Sequence, residues 1–313
     1  MKKSVKITAI ILSAAAIVFV VIFVAGQFGG KNNGNNTTTV TSEPETSSKA
    51  TTSVNIEWNG DEYTAENDDS LINILLIGQD RREGEERQRS DTMILCSFNP
   101  ETSNLSMISF LRDLYVQIPG YEDNRLNAAY AYGGFELLKE AFELNFGISV
   151  DGCLESDFEG FEKIIDTLGG VNIELSAAEA EIIGNGATEG VCILNGKQAL
   201  TYARIRKIDS DFQRTERQRK ILNSVFEKAK TYPLSELAVF FGEILPLMTT
   251  DMTEEEIMTL ALTLAASLAD LETESCIVPA EGTYENATIR EMAVLVPNLY
   301  EIKKLIFEEY LPV

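Results

Sequence analysis

The stretch "TMILCSFNPETSNLSMISF" (residues 92–110) holds two apolar runs on either side of "NPETSN". Asn99, Pro100, Ser103 and Asn104 are residues that reverse a chain, so the runs fold back on each other as an antiparallel hairpin. Upstream, "INILLIG" (72–78) is another unbroken apolar run and reads as a third, fully buried strand. Downstream the period changes. In "GFELLKEAFELNFG" (134–147), Phe135, Leu138, Ala141, Phe142 and Phe146 recur at helical spacing, and Gly147 supplies the stop. "DFEGFEKIIDTLGG" (157–170) is a second helix, capped by Ser156 or Asp157 and ended by Gly169 and Gly170. Between them "ISVDGCL" (148–154) reads as a strand, and "QRTERQRKILNSVFEKAK" (213–230) as a long helix. The tail predicts helices near 234–248 and 254–269, the latter capped by Thr253, then a strand region at 276–294 and a last helix at 298–309. Strands alternating with helices place the globular part in the α/β or α+β class. It runs from Val54 to the end without a tether-like break and reads as one domain, 54–313.

The first 53 residues are of another kind. Lys2, Lys3 and Lys6 precede nineteen residues, 7–25, whose polar members are Thr8 and Ser13. At 1.5 Å per residue that length crosses a bilayer, whereas a cleaved signal peptide has an apolar region of roughly 7–15 residues. Residues 1–6 therefore read as a cytoplasmic tail, 7–25 as a transmembrane anchor and 26–53, rich in Asn, Thr and Ser, as a solvated extracellular tether. The expected location is the cell membrane, single-pass, with the globular domain outside.

Charge narrows the function. The chain has 49 acidic against 26 basic residues, a formal net charge of −23, and no histidine. General affinity for nucleic acid is excluded by that balance, and Ser-His-Asp and Cys-His catalysis by the missing imidazole. Cys96, Cys153, Cys192 and Cys276 lack CxxC spacing and no histidine completes a zinc site; outside the cytoplasm they could pair, but their apolar contexts suit buried free thiols better. Of twelve arginines, eleven fall between Arg81 and Arg219, so the positive charge is focused.

Three clusters carry it. The loop "GQDRREGEERQRSD" (78–91) joins two strands and offers Asp80 and Asp91 beside Arg81, Arg82 and Arg89. Two carboxylates on adjacent strand ends can share a hard cation such as Mg²⁺, and a solvated charged loop is the plainer alternative. In "SFLRDLYV" (109–116), Arg112 and Asp113 interrupt an apolar pattern and need a partner, either each other or something bound. In "YARIRKIDSDFQRTERQRK" (202–220), seven basic residues meet three acidic ones. Arg204 and Arg206 alternate, Arg214, Arg217 and Gln218 lie at helical spacing near a helix start, and Glu216 alone does not neutralise the helix's arginines. Asp209 and Asp211 either orient those arginines or help with a metal. Together the clusters describe a site for a phosphorylated, lipid-attached substrate with a divalent cation.

The ordered blocks "NILLIGQDRR", "RSDTMIL", "ISFLRDLYVQIPG", "RLNAAYAYGG", "DTLGGV" and "LNGKQALTYARIRKIDSDFQRTERQRKIL" closely resemble the LytR-CpsA-Psr family of cell-wall ligases over residues 71–230. The resemblance implies a three-layer α/β/α sandwich around a mixed central sheet, with an apolar lipid channel and an N-terminal transmembrane helix. Helices 134–147 and 157–168 are the expected channel walls, and 231–313 an appended helical part. It implies a phosphotransferase, with a possible pyrophosphatase side activity. The enzyme would move an anionic glycopolymer (wall teichoic acid, capsule or similar) from a polyprenyl-pyrophosphate carrier to peptidoglycan with Mg²⁺ or Mn²⁺. By position, the metal-associated aspartates are Asp80 and Asp91. The pyrophosphate-binding residues are Arg82, Arg89, Arg112, Arg204, Arg206, Arg214 and Gln218, and the catalytic set is Arg112, Asp113, Arg204, Arg206, Asp211 and Arg214. Asp113 or Asp211 takes the acceptor proton or steers an arginine. Leu111 stands where the family usually has proline, and Gln213 where it usually has glycine. The other readings are a non-catalytic binder of lipid carriers or wall polymers, and a membrane-anchored transcriptional attenuator, a role one of the family's names suggests.

Overall fold

The computed structural model describes residues 56, 58–60, 63, 68, 70–79, 89–205, 211–233, 243, 245–268 and 270–312. The expected anchor (7–25) and tether (26–53) lie outside these residues, as do Asp80, Arg82, Arg206 and most of the helix expected at 234–248. Among the described residues no helix is long and apolar enough to cross a membrane.

The strands are β1 (Ile72–Gln79), β2 (Ser90–Asn99), β3 (Asn104–Phe110), β4 (Tyr115–Val116), β5 (Asn124–Arg125), β6 (Gly152–Ser156), β7 (Val171–Leu175), β8 (Gly190–Leu194), β9 (Met248–Thr250), β10 (Glu272–Val278), β11 (Tyr284–Ile289) and β12 (Met292–Pro297). The helices are α1 (Asn127–Phe146), α2 (Phe158–Thr167), α3 (Ala177–Ile183), α4 (Gly196–Ala203), α5 (Asp211–Thr231), α6 (Glu254–Ser267) and α7 (Leu299–Leu305). A six-stranded sheet in the order β10-β3-β2-β1-β6-β9 forms the middle layer. It is mixed: β1 runs antiparallel to β2 and parallel to β6, while β10 runs parallel to β3. The hairpin expected at 92–110 is β2–β3, with Cys96 opposite Met107. Its turn is held by Asn99, whose Oδ1 accepts from the Glu101 and Thr102 backbone N–H groups at 2.9 and 3.2 Å.

β1 shows why the strand patterns are apolar throughout rather than alternating. Ile74 and Leu76 enter one core cluster, and Leu75 and Ile77 the other, because helices cover both faces. On the first face lie α2, α4, α5 and α6, through residues such as Phe161, Leu200, Phe226 and Leu260. On the second lie α1 and α7, where Phe142 sits 4.7 Å from the Phe110 ring. A fully buried phenylalanine of this kind contributes about 2–3 kcal/mol. The three layers of the expected sandwich are therefore present, with the mixed sheet between them.

Three expectations need correction. The helices 134–147 and 157–168 belong to α1 and α2, which pack on opposite faces of the sheet, so together they do not wall one channel. Residues 245–248, expected to end a helix, form a short 3-10 turn and the first residue of the edge strand β9. The expected helical part, 231–313, contributes β9 and β10 to the central sheet and the separate β11–β12 hairpin, besides α6 and α7. The four cysteines are free, and Cys96 and Cys153 are buried.

Candidate functional site

At the end of β3 the chain turns through Leu111–Leu114. Leu111 N donates to Val278 O at 2.8 Å, and Leu295 N donates to Asp113 O at 2.9 Å. Arg112 and Asp113 are thus stitched between the end of β10 and the strand β12. The Asp113 carboxylate accepts from Arg125 Nη1 at 2.7 Å and lies 3.5 Å from Arg112 Nε. A carboxylate held by two guanidinium groups orients them, and of the two roles left open for Asp113 the geometry favours steering over proton transfer.

Helix α5 supplies the opposite side. Phe212, in its first turn, stacks on Tyr284 of β11 with 6.2 Å between ring centroids. Arg214 follows and is only 2% exposed. Arg112, Asp113, Phe212, Arg214, Asn286 and Thr288 are among the residues around a cleft of about 500 Å³ between the β3 end, α5 and the β11–β12 hairpin. A buried guanidinium interacts with an anion more strongly than a surface one does.

The other sequence-derived candidates fall as follows. Arg89 is exposed just ahead of β2, and Arg204, also exposed, ends α4 with its guanidinium 4.5 Å from the Phe158 ring centroid. Gln218 is buried at 2%, and its Nε2 has no acceptor among the described residues. Arg89, Arg204 and Gln218 do not line the cleft. Asp80, Arg82 and Arg206 lie outside the described residues, as do the side chains of Asp91 and Asp211. The backbone around the proposed metal pair is described up to Gln79 and from Arg89. Gly78 pairs with Thr92 but Gln79 with Ser90, so Asp91 is the extra residue of a β-bulge, directly across from the strand end that leads into Asp80. A carboxylate is the kind of ligand that a hard, oxygen-seeking cation takes. Among the described residues no group of three or more His, Cys, Asp or Glu side chains gathers that could hold a metal ion.

The basic stretch 202–220 divides in two. Arg217 Nε is 2.7 Å from Glu179 Oε1, and its Nη1 donates to Ile205 O at 3.1 Å. Burial alone pushes the Glu179 carboxyl up, but the hydrogen bonds from Arg217 and Ser176 outweigh it and hold the group below the usual carboxylate range. Arg219 pairs with Glu216 and donates to Cys276 O at 2.6 Å. These two arginines hold helices and sheet together, and the helix's charge is neutralised by an acid 38 residues away that local counting does not reach. Sequence reasoning also missed Arg125 and the β11–β12 wall. "EDNR" offers Arg125 an obvious nearby acid, and nothing in the spacing of residues 284–297 signals a fold back onto Asp113.

The LytR_cpsA_psr family matches residues 29–305. The polyisoprenyl-teichoic acid–peptidoglycan teichoic acid transferase TagU of Oceanobacillus iheyensis is 36% identical over 214 residues, which cover 64% of this chain and 65% of that protein. The solved structure of TagT bound to LIIa-WTA aligns with a TM-score of 0.64 and 26% identity, over 80% of this chain and 95% of that one. That of the LytR-CPS2A-psr family protein YwtF (TagT) with bound octaprenyl pyrophosphate lipid aligns with a TM-score of 0.60 and 25% identity, over the same shares, 80% and 95%.

Proposed function

The chain belongs to the LytR-CpsA-Psr family, and on that premise we propose that it transfers an anionic glycopolymer from a polyprenyl-pyrophosphate carrier to peptidoglycan by Mg²⁺-dependent phosphoryl transfer at the cell membrane. The observation that carries this reading is the cleft in which Arg214, almost fully buried, faces the Arg112–Asp113 turn. Relatives named as teichoic acid transferases, and one carrying octaprenyl pyrophosphate, support the substrate class.

Arg89, Arg204 and Gln218 lie off the cleft, and in this reading Arg112 and Arg214 hold the pyrophosphate, with Arg82 and Arg206 completing the grip. They stabilise the charge that builds on the leaving lipid phosphate. The acceptor hydroxyl oxygen forms a bond to the polymer-linked phosphorus, the bond from that phosphorus to the bridging oxygen breaks, and polyprenyl phosphate leaves. Asp113, clamped by Arg125, steers Arg112, and Asp211, one turn before Arg214, takes the hydroxyl proton. A Mg²⁺ ion held by Asp80 and Asp91 would neutralise phosphate charge when bound.

The test uses the full-length chain in detergent with a polyprenyl-pyrophosphate-linked sugar and peptidoglycan, with Mg²⁺ or with EDTA. Wild type is expected to turn over with Mg²⁺ alone, and Arg214→Ala to lose roughly 100-fold in rate. Tight carrier binding without any turnover would replace the enzyme by a carrier-binding protein.

A further inference from the structure

Among the described residues, Tyr121 and Tyr132 are the aromatic side chains left broadly exposed, at 53% and 40%. They are not scattered. Their rings stack with 4.9 Å between centroids and 24° between planes. Both are also held from below, Tyr132 through its ring hydroxyl and Tyr121 through its backbone. Tyr132 belongs to α1, and its hydroxyl accepts from Asn124 Nδ2 at 3.0 Å. Tyr121 N donates to Ile118 O at 3.0 Å across a turn in which Gly120 takes a φ of +76°. Side chains that only fill surface have no need of this fixation, whereas a binding face gains from rings that lose little freedom when a ligand arrives.

The position of the pair ties it to the cleft. Asn124 is followed by Arg125, whose guanidinium donates to Asp113 on the cleft wall at 2.7 Å. The charge around it selects the ligand. Of the nearby cations, Arg125 is paired with Asp113, and Arg290 is occupied by Glu122, by Asp123 O and by the Tyr115 hydroxyl, the last at 2.8 Å. In a chain of net charge −23, such a face does not attract a polyanion or an anionic bilayer. It fits an uncharged ring with one apolar face and polar edges, as a pyranose has: its C–H bonds meet the negative face of an aromatic ring, and its hydroxyl and acetamido groups meet the tyrosine hydroxyls and the Asn124 amide.

We propose that Tyr121 and Tyr132 form the platform on which the acceptor lies, an N-acetylhexosamine glycan strand whose hydroxyl is thereby presented to the cleft. This rests on the transfer reading above for its direction, but not for the binding itself. The full-length chain in detergent is titrated calorimetrically with soluble peptidoglycan glycan strands, and transfer is followed in parallel. Tyr121→Ala is expected to weaken glycan binding roughly tenfold and raise the acceptor KM by a similar factor with the carrier KM unmoved; Tyr121→Trp, which keeps a ring face, restores both. Glycan binding by Tyr121→Ala equal to wild type overturns the platform even if transfer proceeds. Tyr121-dependent glycan binding by a wild type that never cleaves the carrier leaves the platform standing and sinks the transfer reading instead.

Discussion

Arg214 and Arg217 lie three positions apart on α5 and are buried to a similar degree, 2% and 4% exposed, yet their surroundings differ. Arg214 borders the cleft, while Arg217 is closed off by Glu179 and a backbone carbonyl. Removing one partner of a buried pair strands the other, so Glu179→Ala is expected to cost about 3 kcal/mol at neutral pH. The sign with pH follows from the direction of the shift. The folded Glu179 carboxyl titrates below its unfolded value of about 4.3, so its contribution is complete above that pH and is lost as pH falls through the depressed folded value. Urea unfolding at pH 7 and again near pH 3 should show the gap between wild type and variant closing in acid. A gap that stays constant would assign the loss to the packing of the Glu179 side chain rather than to its charge, since both the Arg217 pair and the Ser176 cap use the carboxylate.

At the scale of elements, the backbones of α2 and α4 come into close contact at Gly196. A Cβ on Gly196 would stand 2.1 Å from Glu162 O, and Gly196 N donates to Asp166 Oδ1 at 2.7 Å. Gly196→Ala therefore forces the two helices apart, with an expected loss of roughly 2–3 kcal/mol and a lower thermal midpoint by calorimetry. An unchanged midpoint would mean that the crossing yields without cost. Which elements were legible follows from how local their causes are. The β2–β3 hairpin and the caps at Asp157 and Thr253 are set by residues within a few positions, and the sequence announces them. The pairing of β10 with β3, the edge strand β9 and the hairpin against Asp113 depend on distant partners, which no period or turn signal encodes. The candidate site divides in the same way. Its residue types stood out as charge in apolar context, and the resemblance singled out Arg214, but only the fold shows that Arg217 and Arg219 brace the structure.

For the whole molecule, the excess of acid leaves positive charge in a few enclosed places. Duplex DNA meets a net −23 surface, so no mobility shift is expected even at about 50 mM salt, where electrostatic binding is strongest. A salt-sensitive shift would instead revive the attenuator reading. The topology of the central sheet has another bearing, on the order in which the chain can be completed. β2 and β3 close across one turn, but β3 takes its outer neighbour from Glu272–Val278, with Asn104 opposite Glu272. Because synthesis is directional, β3 waits with a bare edge until almost the whole chain has emerged. A polypeptide stopped short of Glu272 would thus be met by the cell's proteases and chaperones as an unfinished sheet rather than as a shortened enzyme, even though the cleft's arginines had all been made.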